Sequence, residues 1–200
     1  MKGFIKLQLP LKAVMKREIR LLGIDDAPFD KFKDRKTLIL GVFFRGGSFM
    51  DGVLSAVVDV DGTDSSDRII HMVNRSKFKP QLRAIMMKGI AVAGFNLIDI
   101  QKISRKTRVP VIIVMRRMPE QKRMARILKK LGKSRRIKHM EKAGNIHKAR
   151  GLYIQFFGTT LAKAKEILRI SCSRSNIPEP IRVAHLMAGG VKLGQSRGKA

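Results

Sequence analysis

One histidine and a few carboxylates have positions at which they could act on a phosphate group. Asp25 ends the apolar run "LLGID", and a carboxylate fixed at the end of a strand is a good ligand for magnesium. His185 lies in "IPEPIRVAH", where a helix beginning at the prolines would hold its imidazole in place. A metal ion held by such a carboxylate could activate a water molecule. Each also has a simpler interpretation, Asp25 as part of a turn and His185 as a hydrogen-bonded core histidine.

A second group of carboxylates lies in "DVDGTDSSD" and consists of Asp61, Asp64 and Asp67. These residues could complete a metal site with Asp25 if the third strand and the helix after it lie beside the first strand. The segment lacks the glutamate that would close a calcium-binding loop. In the alternative interpretation, Asp61 makes a turn, and Asp64 and Asp67 face the positive end of the next helix.

The charge of the chain points to a polyanionic partner. The 200 residues include 43 lysines and arginines but only 15 aspartates and glutamates, a net charge of +28. Residues 101 to 150 alone hold 18 of these cations and two glutamates. Nucleic acid is therefore the leading partner, and a membrane surface is the second candidate. No apolar segment is long enough to span a bilayer, and the single cysteine, Cys172, excludes an internal disulfide and favours the cytoplasm.

The candidate phosphate-binding residues are cations at the ends of predicted elements or on the basic middle of the chain. The arginine of "FRGG" precedes two glycines that would permit close approach of a nucleic-acid backbone, although a sharp connection explains them equally well. The residues expected to contact nucleic acid are Arg45, Lys88, Arg116, Arg117, Lys129, Lys130 and Arg182.

The order of apolar runs predicts a mixed α/β domain. We expect strands ending at Asp25, near Phe44, near Asp59, near Met87 and near Met115 to share one sheet. Helices are predicted after the third strand, near residues 98–106, over 119–132, after "GLYIQFFG" and from "PEP" onward. Residues 1–16 are predicted to be an extension, 17–190 the domain, and 191–200 a flexible basic tail.

Several motifs carry a resemblance to known nucleases. "IPEPIRVAH" resembles the C-terminal motif of endonuclease V, a metal-dependent nuclease with a ribonuclease H-like fold. Over residues 17–190 the chain is similar to an archaeal family related to endonuclease V, some members of which are called endonuclease dU. The motifs concerned are "LGIDDAPF", "FRGGSFMDGVLS", "KPQLRAIM", "AGFN" and "IPEPIRVAHLMAGG".

The resemblance implies a ribonuclease H-like α/β fold, in which a mixed central sheet is flanked by helices. It also implies a magnesium- or manganese-dependent endonuclease that acts on DNA with deaminated bases such as deoxyuridine, in DNA repair. Asp25 matches the metal-binding aspartate of the first strand, His185 matches the C-terminal histidine, and Asp64 or Asp67 matches a further carboxylate. The implied site is thus Asp25, Asp64 and Asp67 as metal ligands, with His185 beside them.

The sequence departs from the endonuclease V pattern at "IMMKGIA". Lys88 stands where that family carries an aspartate before a glycine, and a lysine ammonium repels a divalent cation. The tyrosine-containing wedge of endonuclease V is also not evident. An alternative is therefore a nucleic-acid-binding protein that kept the fold and lost the chemistry, and a weaker one is a basic RNA-associated protein. If the Lys88 ammonium lies within salt-bridge reach of Asp25, it takes the place of a metal.

Overall fold

The central element of the protein is a seven-stranded mixed sheet. A computed structural model describes residues 17–196, so the predicted extension 1–16 and the last four residues of the predicted tail lie outside the described residues. The strand order is β3-β2-β1-β4-β7-β9-β8, and β5 and β6 form a separate hairpin. The strands are β1 (Arg20–Asp26), β2 (Lys36–Arg45), β3 (Phe49–Asp59), β4 (Leu82–Lys88), β5 (Ala91–Val92), β6 (Asn96–Leu97), β7 (Val111–Met115), β8 (His147–Ala149) and β9 (Leu152–Phe157).

Six α-helices accompany the sheet within residues 17–196. They are α1 (Ser65–Asn74), α2 (Ile100–Thr107), α3 (Gln121–Lys130), α4 (Ile137–Lys142), α5 (Leu161–Ser171) and α6 (Glu179–Leu193). Side-chain caps explain where two of them begin. The Asp99 carboxylate accepts a hydrogen bond from the Lys102 backbone N–H at the start of α2, and the Thr160 hydroxyl accepts one from that of Lys163 in α5.

The strand directions match the predicted domain. The three central strands β1, β4 and β7 are parallel, so their carboxyl ends meet at one edge of the sheet. β2 runs antiparallel to β1, and β3 antiparallel to β2. The expectation that the five strands ending from Asp25 to Met115 share one sheet is confirmed. The fold is the ribonuclease H-like arrangement, a mixed central sheet flanked by helices.

Both faces of the sheet are covered at β1 and β4, which explains the continuous apolar runs of these two strands. Successive side chains of a strand point to opposite faces. Leu22 and Ile24 therefore pack with the cluster that includes α1 and α2, which defines the α1 face. Leu21 packs with the cluster that includes α5 and Ile181 of α6, which defines the α6 face.

Three details differ from the sequence-based expectations. The segment after β4, predicted as a loop, contains the short hairpin of β5 and β6. α4 and β8 were not predicted. α6 continues to Leu193, so the first three residues of the predicted flexible tail belong to a helix. Among residues 17–196, no helix is both long enough and apolar enough to cross a bilayer.

Candidate active site at the carboxyl edge of the sheet

A glycine in β1 allows α6 to bring its histidine to the sheet. Gly23 lies under the beginning of α6, where a β-carbon would overlap the backbone of Pro180 and Ile181. α6 therefore crosses β1 at backbone contact. Asp25 lies two residues further along β1 and points to the same face as Gly23. The helix consequently delivers His185 directly to Asp25.

Asp25 and His185 form a hydrogen-bonded pair. The Nδ1 atom of His185 lies 2.8 Å from Oδ2 of Asp25, and Oδ1 of Asp25 accepts a hydrogen bond of 3.1 Å from the Asp26 backbone N–H. The Asp25 side chain is 7% exposed and that of His185 is 24% exposed. His185 is thus partly open to solvent. The pair borders an open pocket of about 390 Å³, lined by Asp25, Asp26, Ala27, Pro28, Phe29, Lys88 and His185.

Two cations accompany this pair on the α6 face. The Nζ atom of Lys88 lies 3.9 Å from Oδ2 of Asp25, within salt-bridge reach. Lys88 ends β4 and Arg116 follows β7. Because side chains alternate along a strand, both lie on the side of the sheet that faces α6. Arg116 is close enough to His185 to affect the pKa of its imidazole. The three parallel strands thus place Asp25, Lys88 and Arg116 on one face of the carboxyl edge.

Burial shifts the titration of both members of the pair toward their neutral forms. Burial raises the pKa of Asp25 to about 7, with a further rise from Asp26, while the Lys88 ammonium opposes the rise. Burial lowers the pKa of His185, and the charges of Lys88 and Arg116 lower it further. The pKa of the Asp25 carboxyl therefore lies near neutral pH, where acid–base chemistry is most useful.

The implied metal site does not fit these residues. Within residues 17–196, no three histidine, cysteine, aspartate or glutamate side chains are grouped to hold a metal ion. Asp64 is bound by the Asn96 amide, 2.8 Å away, and by Arg68. Asp67 forms an ion pair with Lys102 at 2.6 Å. The expected ligand set of Asp25, Asp64 and Asp67 is therefore corrected, because the structure does not assemble it.

The alternation of side chains along β1 explains this correction. Asp25 points to the α6 face, whereas Asp26 points to the α1 face. Oδ2 of Asp26 accepts a hydrogen bond of 2.8 Å from the Ala93 backbone N–H, and the Ala93 carbonyl accepts one from the Asp61 N–H. The carboxylate that approaches the acidic segment before α1 is thus Asp26. Sequence reasoning missed this role, because adjacent aspartates give no sign of which face each occupies.

On the α1 face, the Asp61 carboxylate binds groups of the protein itself. It accepts a hydrogen bond of 2.7 Å from the Phe95 N–H and binds the Lys133 ammonium at 2.7 Å. The Phe95 carbonyl accepts a further hydrogen bond from Arg136. The "AGFN" motif is therefore a loop held between acidic and basic side chains.

The predicted nucleic-acid contacts fall into four places. Lys88, Arg116 and Arg117 lie at the carboxyl edge, and Arg116 and Arg117 are exposed. Lys129 and Lys130 are exposed at the end of α3, whose cations also include Lys122, Arg123 and Arg126. The other two predicted contacts, Arg45 and Arg182, are bound by carboxylates of the protein.

Arg45 and Arg182 have structural partners in the protein. Arg45 pairs with Asp51 at 2.9 Å and lies at the opposite, amino edge of the parallel strands, because β2 is antiparallel to β1. Arg182 pairs with the buried Glu179 at 2.7 Å in the first turn of α6. These two arginines therefore stabilise the ends of their elements, and neither lies among the free cations of the carboxyl edge.

An apolar cavity lies on the α1 face of the sheet. It has a volume of about 460 Å³ and is lined mainly by hydrophobic side chains of residues between β4 and α3. Its lining includes Ile90, Phe95, Met115, Met118, Met124 and Ile127. Ile90 and Met115 pack with the α1-face cluster, so the cavity lies on the opposite face of the sheet from the Asp25–His185 pair.

Comparisons with known proteins agree with this fold. A "UPF0215 protein" of Methanothermobacter thermautotrophicus is 48% identical over 191 residues, which cover 93% of this chain and 94% of that protein. The crystal structure of a protein of unknown function from Archaeoglobus fulgidus aligns with a TM-score of 0.81 and 41% identity, over 86% of this chain and 97% of that one.

A more distant structure is an endonuclease V from Ciona intestinalis, in complex with a 23mer DNA containing an inosine followed by a ribo-adenosine. It aligns with a TM-score of 0.52 and 13% identity, over 85% of this chain and 83% of that one, which supports the shared fold. The family model described as Endonuclease dU matches residues 17–192. The chain therefore belongs to the endonuclease dU family.

Proposed function

We propose that the protein is an endonuclease that hydrolyses phosphodiester bonds in DNA beside deaminated bases such as deoxyuridine. The observation that carries this proposal is the Asp25–His185 pair, joined at 2.8 Å and open to a pocket that Lys88 borders. Membership of the endonuclease dU family supports the choice of substrate. The net charge of +28 supports nucleic acid as the partner.

The pair has the chemistry of a general base. When Asp25 is ionised, Nδ1–H of His185 donates to Oδ2, and the lone pair of Nε2 accepts a proton from water. The oxygen of that water forms a bond to phosphorus while one ester P–O bond breaks. The leaving oxygen then takes a proton from solvent. Lys88 and Arg116 oppose the negative charge that grows on the phosphate oxygens.

The apolar cavity on the α1 face suits a base removed from the helical stack. An enzyme that inspects one base of a duplex flips it into a pocket, where apolar and aromatic side chains replace its stacking partners. This cavity offers Phe95 and several methionines for this purpose. A damaged or mismatched base is displaced at lower cost than a paired one, which supports deaminated bases as targets.

Strand nicking tests this function. Labelled duplexes containing uracil, hypoxanthine or no modification are incubated with the protein, in EDTA and in magnesium. We expect nicks near the deaminated base and none in the unmodified duplex. Asp25→Ala and His185→Ala are the matched inactive variants. Equal nicking by wild type and Asp25→Ala would rule out this site as the source of cleavage.

A second candidate function is nucleic-acid binding without cleavage. The observation in its favour is the 3.9 Å approach of the Lys88 ammonium to Asp25, the carboxylate implied to be a metal ligand. Under this proposal the carboxyl edge binds the nucleic-acid backbone, and the phosphodiester bond is not cleaved. Tight binding of deaminated duplexes without nicking, in either EDTA or magnesium, would favour it.

A further inference from the structure

Three neighbouring strand ends place one carboxylate and two cations together at the carboxyl edge. On the α6 face, β1 contributes Asp25, β4 contributes Lys88, and the residue after β7 is Arg116. Lys88 and Arg116 also line a second, smaller pocket together with Ile177 and Ile181. The side chain of Lys88 is 41% exposed, so its ammonium remains accessible although it approaches a buried carboxylate.

The oxygens of Asp25 are already occupied by protein groups. Oδ2 faces Nδ1 of His185 at 2.8 Å and the Lys88 ammonium at 3.9 Å, while Oδ1 accepts the Asp26 N–H. The Asp26 carboxylate lines the same pocket, but its Oδ2 accepts the Ala93 N–H. A divalent ion here would meet the repelling Lys88 ammonium, and residues 17–196 contain no group of three carboxylate, histidine or cysteine side chains placed to hold it.

We infer that Lys88, together with Arg116, binds a backbone phosphate of the nucleic acid directly, with no divalent ion between Asp25 and that phosphate. The inference rests on the proposed action on nucleic acid and concerns how the phosphate is held. Lys88 supplies the positive charge for the phosphate, 3.9 Å from Oδ2 of Asp25. Asp25 then serves to orient His185 and Lys88.

Metal binding can be measured without any activity. Manganese is titrated into nucleic-acid-free wild-type protein and into Asp25→Ala, and bound ion is followed by electron paramagnetic resonance. We expect no stoichiometric binding of manganese to the wild type. The titration curve of Asp25→Ala should be the same as that of the wild type. One manganese ion bound by the wild type and lost in Asp25→Ala would overturn the inference.

Phosphate binding is measured separately, by fluorescence anisotropy of a labelled uracil-containing duplex at matched ionic strength. We expect the wild type to bind as tightly in EDTA as in magnesium. Lys88→Ala should weaken binding about 3- to 10-fold, and Lys88→Arg should stay within about 2-fold, because a charged donor to phosphate is retained. The control is Lys163→Ala, which removes one exposed cation from a polar pocket at the amino edge of the sheet.

The outcomes separate this inference from the proposed function. A requirement for magnesium in binding, or an equal loss in Lys88→Ala and Lys163→Ala, would contradict direct phosphate binding even if the wild type nicks DNA. Metal-free binding that depends on Lys88 would support it even if no strand is cut. Thermal unfolding of each variant identifies misfolding, and the wild-type manganese titration needs no variant.

Discussion

The two faces of the sheet use their carboxylates differently. On the α6 face, Asp25 is buried and its pKa is raised, and it contacts a histidine and a lysine that border an open pocket. On the α1 face, Asp61 and Asp64 have pKa values held below the usual range by hydrogen bonds and cations. Hydrogen bonds and cations stabilise the ionised forms of Asp61 and Asp64, whereas burial disfavours the ionised form of Asp25. Perturbed carboxylates of the first kind are typical of functional sites, and stabilised ones are typical of structural networks.

The largest expected difference between carboxylates of the two faces is in their effect on the DNA-nicking rate. If the protein nicks DNA, Asp25→Ala should reduce the nicking rate by about 10²- to 10⁴-fold, because His185 loses the group that orients it and supports its proton transfer. Binding of the duplex should be largely retained, since the cations remain. Single-turnover nicking and anisotropy on the same preparations measure the two effects. A parallel loss of both would indicate that Asp25 acts mainly through the fold.

The close contact between β1 and α6 should be the next most sensitive feature. Gly23→Ala forces a β-carbon against the backbone of Pro180, and we expect the free energy of unfolding to fall by about 2–3 kcal/mol. Gly190→Ala is the control, because a β-carbon there meets no neighbouring atom and α6 gains a better helix former. Urea unfolding of both variants gives the comparison. Similar stabilities would show that α6 shifts freely over β1.

The raised pKa of Asp25 makes stability depend on pH. The folded protein holds this proton up to about pH 7, whereas the unfolded chain releases it near the ordinary value of 3.8. The contribution of this group to the free energy of unfolding therefore decreases as the pH rises from about 4 to about 7. Asp25→Asn cannot lose a proton at this position, so its stability should not decrease in this way. The free energy of unfolding of Asp25→Asn minus that of the wild type should therefore rise by roughly 1–3 kcal/mol between pH 4 and pH 8. A constant difference across this range would contradict the raised pKa.

On the opposite face, removal of a carboxylate should affect stability alone. Asp64→Ala loses the Asn96 amide and the Arg68 ion pair, and we expect the free energy of unfolding to fall by about 1–2 kcal/mol. Nicking and manganese binding should not change. A loss of nicking as large as that of Asp25→Ala, at temperatures where the variant is folded, would restore Asp64 to the site.

The smallest effect concerns the exposed end of α3. Each backbone phosphate neutralised on duplex DNA adds roughly −0.9 to the slope of log affinity against log salt concentration. Lys129→Glu combined with Lys130→Glu should therefore make this slope shallower by about one to two. Binding at several salt concentrations measures it. An unchanged slope would limit the nucleic-acid interface to the carboxyl edge.

Much of the fold could be predicted because it depends on local pattern. The apolar runs ending at Asp25 and Met115 identify buried strands, and "PEP" identifies the start of α6. The pairing of Asp25 with His185 was implied by family resemblance, and the structure brings them together. The proximity of Lys88 follows from parallel pairing of β1 with β4.

The remaining part of the site could not be predicted from sequence. A strand buried on both faces has no alternation of apolar and polar residues, so its sequence does not reveal which of Asp25 and Asp26 faces α6. The same uncertainty misplaced Asp64 and Asp67. The position of Arg45 at the amino edge could not be predicted either, since the direction of β2 determines the edge at which that strand ends.

The contact between His185 and Asp25 also sets an order of events during synthesis. The two residues are 160 positions apart, and a ribosome releases Asp25 long before α6. Until α6 emerges, the groove above Gly23 lacks the backbone that fills it, and the carboxyl edge has its cations but no imidazole. A nascent chain thus has the cations that would attract nucleic acid before it has the imidazole, and under the proposed function cleavage would require the last helix to have docked.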